Sequence, residues 1–286
     1  KASIAKELKL IPELDGSQDY DFLLRLTDRY EHIVHIPRIL YHWREAIGST
    51  AQSIGTKPKA GIAGIKALKA HYERIGLSAD VDEVGQIKNS PGFYFTKFKT
   101  PEHFNVFIDR EVHDSLTNDE LKFWESIRED KNVHVIFSQS SDDINNVKGL
   151  TIRISDYFIP KSKNDLYELA ATARAQDGTI VVPQLFGNDG RMFETTFIKT
   201  ENGLKDAFNG YSFGSNTYFG NTLWSREASY SRNAVIACSD TSALKNTERI
   251  VHTKTPSLKW TRSKFKFMQQ PHISLKVHVT DSFGNP

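Results

Sequence analysis

Two acidic residues near the beginning of the chain have the type and spacing that acid–base chemistry requires. They lie in the segment Gly16-Ser17-Gln18-Asp19-Tyr20-Asp21, and the apolar residues Phe22, Leu23 and Leu26 predict a helix with Ser17 as its N-cap. A general base that takes a proton from a hydroxyl must stand in a fixed place, and the first turn of a helix provides one. The alternative is that both acids only complement the positive end of the helix, as first-turn acids commonly do.

A second candidate cluster follows at Tyr41-His42-Trp43-Arg44 and Gly48-Ser49-Thr50. A neutral imidazole can bind a divalent metal, and arginine with loop hydroxyls can hold a diphosphate. However, a single histidine beside aromatic residues is more often packed or exposed than a metal ligand. From the residues alone, both interpretations of this cluster stay open.

Composition narrows the class of protein. The 286 residues contain 37 Lys and Arg against 35 Asp and Glu, a net charge of +2 that argues against nucleic-acid binding. The single Cys238 excludes an internal disulfide framework and a Cys-rich metal site. No apolar run approaches the roughly 20 residues that a membrane-spanning helix needs. The chain begins with Lys1 and shows no signal core, so we expect it to be part of a longer protein.

Several elements must position these residues. Residues 33–37 predict a strand that ends at a proline. Residues 57–75 predict an amphipathic helix that Gly76 closes, and its apolar face consists of Ile62, Ile65, Leu68, Tyr72 and Ile75. The polar segment 80–91 is typical of a linker.

The second half of the chain alternates between strand and helix patterns. Strands are predicted at residues 105–108, 133–137, 150–154, 179–182 and 233–238. Capping residues at Thr117 and Ser162 predict the starts of two helices between them. This alternation predicts an α/β fold, a Rossmann-like three-layer α/β/α domain with a mostly parallel sheet.

Residues 11–76 resemble the C-terminal part of the family 2 glycosyltransferase domain, in the lineage that makes bacterial surface polysaccharides. The pattern runs in order and at the family's spacing through four segments, which are Gly16–Arg25, His35–Pro37, Leu40–Arg44 and Gly48–Thr50. The resemblance implies the nucleotide-sugar transferase fold of type A. It also implies an inverting transfer from a UDP- or dTDP-sugar to a glycan or lipid-linked acceptor.

The resemblance assigns roles to individual residues. Asp19 matches the position of the general base, whereas Asp21 and Arg25 match accompanying positions of a mainly structural kind. His42 resembles a histidine that helps bind the metal or the diphosphate. Arg44, Ser49 and Thr50 lie where a loop is expected to close over the diphosphate.

Parts of the family pattern are missing from residues 1–76. The nucleotide-binding first strands and the Asp-x-Asp motif would precede Lys1, so the site for Mg²⁺ or Mn²⁺ is expected to be incomplete in this chain. Because nucleotide sugars are cytosolic, the resemblance implies a cytoplasmic location, with peripheral contact at the inner face of the membrane.

The second half resembles the same fold more weakly. Ile154-Ser155-Asp156-Tyr157-Phe158-Ile159-Pro160 occupies the place of the metal motif, with Asp156 as its surviving acid and Phe158 where a second acid is expected. Since Mg²⁺ and Mn²⁺ need several oxygen ligands, this half is expected to be a degenerate, non-catalytic domain. A divergent transferase-like domain is the alternative.

The predicted domains are therefore four. Residues 1–79 form the end of a family 2 transferase domain, 80–101 a linker, 102–250 a transferase-like domain and 251–286 a basic extension. A different class of function stays open beside the enzyme, namely a non-catalytic carbohydrate-binding or scaffold module with a transferase-like fold.

Overall fold

The computed structural model describes residues 2–30, 34, 36–42, 58–83, 94–109, 113–114, 116–154, 158–160, 162–176, 179–186, 189–192, 197–201, 203–206, 208–212, 226–228, 235–241 and 266–277. The chain divides into two compact units, Lys1–Phe98 and Lys99–Pro286. The division falls within the segment 80–101 that we predict as a linker.

The first unit is built from three helices and an antiparallel pair of strands. Helices α1, α2 and α3 span Ala2–Leu8, Gln18–Thr27 and Pro58–Arg74, and a 3-10 helix at Pro12–Leu14 lies between α1 and α2. Strands β1 (Ala79–Glu83) and β2 (Tyr94–Phe98) pair antiparallel. The first residues of the predicted linker are therefore part of a strand.

Helix α3 buries only the middle of the face that its apolar residues predict, where Leu68 is 8% exposed. Ile62 and Ile75 are 57% and 45% exposed, whereas Ala63 and Ala67 pack with Leu14 in the core. Small side chains are buried here because a neighbouring helix approaches closely. The prediction of an apolar isoleucine face was therefore wrong at its two ends, although the helix and the turn at Gly76 (φ +77°) are confirmed.

The predicted strand at residues 33–37 is not found at the positions that the structure describes. Val34 and Ile36 lie outside any strand and are 84% and 57% exposed. Alternation of apolar residues indicates a strand only when a neighbouring strand supplies hydrogen-bond partners.

The second unit contains a mixed eight-stranded sheet. Its strands run in the order β10-β12-β7-β11-β5-β3-β4, with β6 paired to β12. Their bounds are Phe104–Ile108 (β3), Val133–Phe137 (β4), Thr151–Ile154 (β5), Phe158–Pro160 (β6), Thr179–Phe186 (β7), Arg226–Ala228 (β10), Val235–Cys238 (β11) and Lys266–Val277 (β12). Strands β8 (Phe197–Thr200) and β9 (Gly203–Asp206) form a separate antiparallel pair.

The predicted α/β class is confirmed, and the pairing adds a detail that periodicity does not reveal. Strand β3 is parallel to both β4 and β5, and β7 is parallel to β12. Strand β11 is antiparallel to both β5 and β7, although all four of its residues are buried like those of a parallel strand. Within the segment 251–286, residues Lys266–Val277 form β12, which lies between β10 and β7 in the sheet.

Two helices cover one face of this sheet. Helix α4 (Asn118–Arg128) and helix α5 (Lys163–Ala175) share one core with Val106, Ile152 and Val181. On the other face, Ile144 and Val147, in and just after a 3-10 helix at Ser141–Asn146, pack with Phe107, Ile180 and Ile236. Each fully buried isoleucine contributes about 1.5–3 kcal/mol, so residues that alternate between the two faces fix the register of the strands.

Both predicted helix starts in the second unit are confirmed. The side chain of Glu120 accepts a hydrogen bond from the backbone N–H of Thr117 at 2.7 Å. In the same way, Asp165 accepts from the N–H of Ser162 at 2.9 Å. None of the helices in the described part of the chain combines the length and apolar character needed to span a bilayer.

A buried ion pair joins β3 to β5. Arg153 donates from Nε and Nη2 to the two carboxylate oxygens of Asp109 at 3.4 and 3.0 Å. The side chains are only 7% and 2% exposed. Neither charge could remain buried in this place without the other.

Replacing Arg153 with methionine is expected to lower the free energy of unfolding by about 3–5 kcal/mol, because Asp109 would keep a buried charge without a partner. Urea unfolding measures the change. The matched control is Arg191→Met, since Arg191 pairs with Asp189 at an exposed position and should contribute less than about 1 kcal/mol. Equal losses in the two variants would contradict the assignment.

A second polar cluster holds α5 to the turn before β4. Asp130 accepts hydrogen bonds from Lys163 and, at 2.6 Å, from the hydroxyl of Tyr167. These hydrogen bonds lower the pKa of Asp130 from 3.8 to about 2, and the bond from Lys163 has the largest effect. The carboxylate is therefore ionised at all pH values at which the protein is normally handled.

Replacing Asp130 with asparagine is expected to cost about 1–2 kcal/mol at pH 7, because charged hydrogen bonds are lost. A depressed carboxyl pKa contributes stability above the unfolded value of 3.8 and loses it as the pH falls through about 2. The difference between wild type and variant should therefore be constant from pH 7 to 5 and shrink between pH 4 and 2 in urea unfolding. Asp119→Asn, at an exposed pair with Lys122, should show little difference at any pH.

Candidate functional site

Asp19 lies in the first turn of α2 with its side chain exposed to solvent. Its Oδ1 accepts a hydrogen bond from the backbone N–H of Tyr20 at 2.8 Å. Within the described part of the chain, Oδ2 has no hydrogen-bond partner. One oxygen thus orients the carboxylate while the other is open, and the helix N-terminus favours its negative charge.

Tyr20, the next residue of α2, has a partly buried side chain. Its side chain packs against the core formed by Leu14, Ala63 and Ala67, and its ring stacks on Tyr94 with centroids 6.3 Å apart and planes at 18°. Burial, followed by the neighbouring tyrosines Tyr72 and Tyr94, raises the pKa of Tyr20 to about 12. The phenol therefore stays neutral at physiological pH and does not act as a second base beside Asp19.

Ser17 is the N-cap residue of α2, as predicted. Its side chain makes no capping hydrogen bond, however, and Oγ donates instead to the backbone carbonyl of Ala60 at 2.8 Å. Gly16 precedes it with φ +93°, and a Cβ at this position would lie 3.0 Å from Cβ of Ala60. The Ser17 hydroxyl bonds to α3 rather than to its own helix because α2 and α3 approach closely at their N-terminal ends.

A second contact fixes the other end of α2 to α3. Asp28, which follows α2, pairs with Nδ1 of His71 at 2.6 Å and with Nε of Arg74 at 2.7 Å. Ser17 and Ala60 are 43 positions apart in the chain, and so are Asp28 and His71. The two helices therefore run in the same direction, in matched register over three turns.

Asp21 has a structural environment that differs from that of Asp19. Its side chain is 1% exposed and forms an ion pair with Arg25, with Nη2 and Oδ2 2.7 Å apart. Arg25 also donates to the backbone carbonyls of Leu8 and Lys9, the second at 2.8 Å. The structural role expected of Asp21 and Arg25 is confirmed, since this cluster fastens the end of α1 to α2.

The other predicted site residues cannot be related to Asp19 by geometry. His42 is exposed, and the residues before it, Ile39, Leu40 and Tyr41, are 84%, 70% and 80% exposed. Arg44, Ser49, Thr50 and Asp156 lie outside the described residues. Among the described residues, no group of three or more His, Cys, Asp or Glu side chains could hold a metal ion.

Two residues that pack closely on α3 were not predicted from the sequence. Tyr94 and Glu83 belong to the β1–β2 pair and lie directly over Gly64 and Gly61 of α3. The sequence signal for this contact was the pair of glycines inside α3, because glycine is unfavourable inside a helix unless another group needs the space.

Replacing Arg25 with methionine is expected to lower the free energy of unfolding by about 3–5 kcal/mol, because the buried charge of Asp21 would lose its partner. Urea unfolding measures the change. Arg29→Met is the control, since Arg29 and Glu7 form an exposed pair with side chains 54% and 59% exposed. A loss at Arg25 as small as that at Arg29 would show that the cluster does not hold α2 in place.

Two curated proteins are similar to a part of this chain. The uncharacterized protein y4gI of Sinorhizobium fredii (strain NBRC 101917 / NGR234) is 42% identical over 76 residues, which are 26% of this chain and 8% of that protein. The O-antigen biosynthesis protein RfbC of Myxococcus xanthus is 38% identical over 74 residues, which are 26% of this chain and 6% of that protein. The chain thus matches less than a tenth of the length of either relative.

Two further comparisons give no match. No protein-family model matches the chain, and no solved structure matches it. Each of the two similarities reported above covers about a quarter of the chain.

Proposed function

We propose that this chain takes part in the biosynthesis of a surface polysaccharide, as part of an enzyme that transfers a sugar from a nucleotide sugar to a glycan or lipid-linked acceptor. Asp19 is the general base of this reaction. The observation that carries the proposal is the Asp19 carboxylate itself, which is exposed and oriented through Oδ1 while Oδ2 is open.

The chemistry places two demands on such a base. As the acceptor oxygen attacks the anomeric carbon, its proton must pass to the base, while the bond from that carbon to the diphosphate breaks on the opposite face. The electron pair leaves with the nucleoside diphosphate, and the configuration of the sugar inverts. Oδ2 of Asp19 can accept this proton without giving up a hydrogen bond, since Oδ1 alone accepts the N–H of Tyr20.

The surroundings of Asp19 favour a fixed base over a flexible surface acid. Helix α2 is attached to α3 near its start by Ser17 and just after its end by Asp28. The Asp21–Arg25 pair attaches it to the end of α1 as well. A carboxylate on an element held at three places keeps the geometry that proton transfer needs.

The comparisons support a role in polysaccharide biosynthesis only through the name of one relative. One relative carries the name of an O-antigen biosynthesis protein, and it is matched over 74 residues. That length is close to the extent of residues 11–76, which carry the resemblance to family 2 glycosyltransferases. A UDP- or dTDP-sugar as the donor follows from this resemblance.

We propose that a divalent metal, Mg²⁺ or Mn²⁺, steadies the leaving diphosphate. His42 is exposed, and among the described residues it belongs to no group of three or more His, Cys, Asp or Glu side chains. It remains a proposed ligand of this metal or contact of the diphosphate. Arg44, Ser49 and Thr50 remain the proposed diphosphate contacts, and Asp156 remains a proposed metal ligand of the second unit. No step of the proton transfer depends on these residues.

Replacing Asp19 with asparagine is expected to lower kcat about 10²–10⁴-fold, because the amide cannot accept the proton of the acceptor hydroxyl. The measurement is sugar transfer from UDP- and dTDP-sugars in the presence of Mn²⁺, made with the protein as it occurs in the cell. Since Asp19 is exposed, the free energy of unfolding should change by less than about 0.5 kcal/mol.

Asp15→Asn is the matched control, because Asp15 is an exposed acid just before α2 whose side chain accepts a hydrogen bond from Gln18. It should keep wild-type turnover. Normal turnover in Asp19→Asn would end the proposal. Calorimetry separates the other class of function: binding of a glycan without binding of UDP-sugars and Mn²⁺ would favour a carbohydrate-binding or scaffold module.

A further inference from the structure

We propose that Tyr94 is a positioning residue for the Asp19 carboxylate, acting through the ring and backbone of Tyr20. This inference rests on the proposed function of Asp19 and extends the site to strand β2. The sequence assigns this strand to no part of the site, since β2 lies within the segment 80–101 that we predict as a linker.

Tyr94 contacts both helices that frame the site. Its ring stacks on Tyr20 of α2, with centroids 6.3 Å apart. Its hydroxyl donates to the backbone carbonyl of Gly61 in α3, at 3.4 Å. One side chain of the strand pair therefore links the first turn of α2 to the first half of α3.

Helix α3 has a face made to receive this strand pair. A Cβ on Gly64 would lie 1.9 Å from the hydroxyl of Tyr94, and a Cβ on Gly61 would lie 2.0 Å from Oε1 of Glu83. Glu83 and Tyr94 are directly opposite each other in the β1–β2 register. Glycine is unfavourable in a helix interior, yet α3 has one glycine under Tyr94 and another under Glu83. The close contact with the strand pair therefore explains why these two positions are glycine.

The strand pair is held at its other end by separate contacts. The hydroxyls of Tyr72 and Thr96 are 3.1 Å apart, and the rings of Tyr72 and Phe98 meet edge to face at 5.3 Å. Val81 of β1 is 1% exposed. Tyr94 is thus fixed by its own strand, and it can limit the movement of Tyr20.

The link from Tyr20 to Asp19 is a backbone hydrogen bond. The N–H that orients Oδ1 of Asp19 belongs to Tyr20, whose side chain lies in the core against Tyr94. If the ring of Tyr20 shifts, this N–H shifts with it. The orientation of the general base therefore depends on a residue 75 positions away in the chain.

The test compares Tyr94→Leu with Phe98→Leu, which loosens the same strand pair at the end away from Tyr20. In the isotope-labelled full chain we measure hydrogen exchange of the Tyr20 amide and the ¹³C shift of the Asp19 carboxylate at pH 7. Tyr94→Leu should speed exchange of this amide about tenfold more than Phe98→Leu does and move the carboxylate signal, while Tyr94→Phe should retain wild-type values. Equal effects of the two leucine variants would overturn the proposal, and so would a failure of phenylalanine to rescue.

Gly64→Ala provides a second variant if Tyr94→Leu does not fold, because its Cβ must displace the ring of Tyr94. It should give the same amide and carboxylate changes, and unchanged signals would overturn the proposal. In the transfer assay, Tyr94→Leu should lower kcat with KM nearly unchanged. The spectroscopic results stand without any transfer, so a failure of the positioning role and a failure of the proposed function are distinguishable.

Discussion

The close approach of α2 and α3 is the constraint on which the first unit depends. At one end, Gly16 lies against Ala60 with no room for a side chain, and at the other end Asp28 pairs with His71. Helices can approach this closely only where small residues line the contact, so alanine fills the core side of α3 and the larger isoleucines stay outside. The position of Asp19 follows from this contact, because the first turn of α2 cannot rotate without losing both end contacts.

Buried charge is used in the same way in both units. The pair Asp21–Arg25 links α1 and α2, and the pair Asp109–Arg153 links two neighbouring strands. In each case an arginine donates to a nearly inaccessible carboxylate, and in the first it also donates to backbone carbonyls that would otherwise end α1 without partners. Such pairs add specificity more than net stability, because both charges lose their hydration when they are buried.

Sequence patterns predicted the helices and the main strands because they depend on local signals. The capping residues Thr117 and Ser162 and the apolar runs of β3 to β5 are signals that act within a few positions, and each of these elements was confirmed. Features that depend on contacts with residues far away in the chain were not predictable. Ser17 reads as a cap but bonds to Ala60, segment 80–91 reads as a linker but begins in a strand, and β11 gives no sign of its antiparallel direction. The same holds for the candidate site. Helix α2, which carries Asp19, was predictable from local signals, whereas the contact of Tyr94 with this helix was not.

The different environments of Asp19 and Asp21 follow from helix geometry. Residues two positions apart on a helix are separated by about 200° around its axis, so one of the two acids must face solvent when the other faces the core. Asp21 is the buried one, and Arg25, one turn further along, neutralises it. Asp19 is then left on the open side, with the dipole of the same helix behind it. The motif thus contains one buried acid with a structural partner and one exposed acid, which is the one that we propose as the general base. An exchange of the two would require the whole helix to turn against α3.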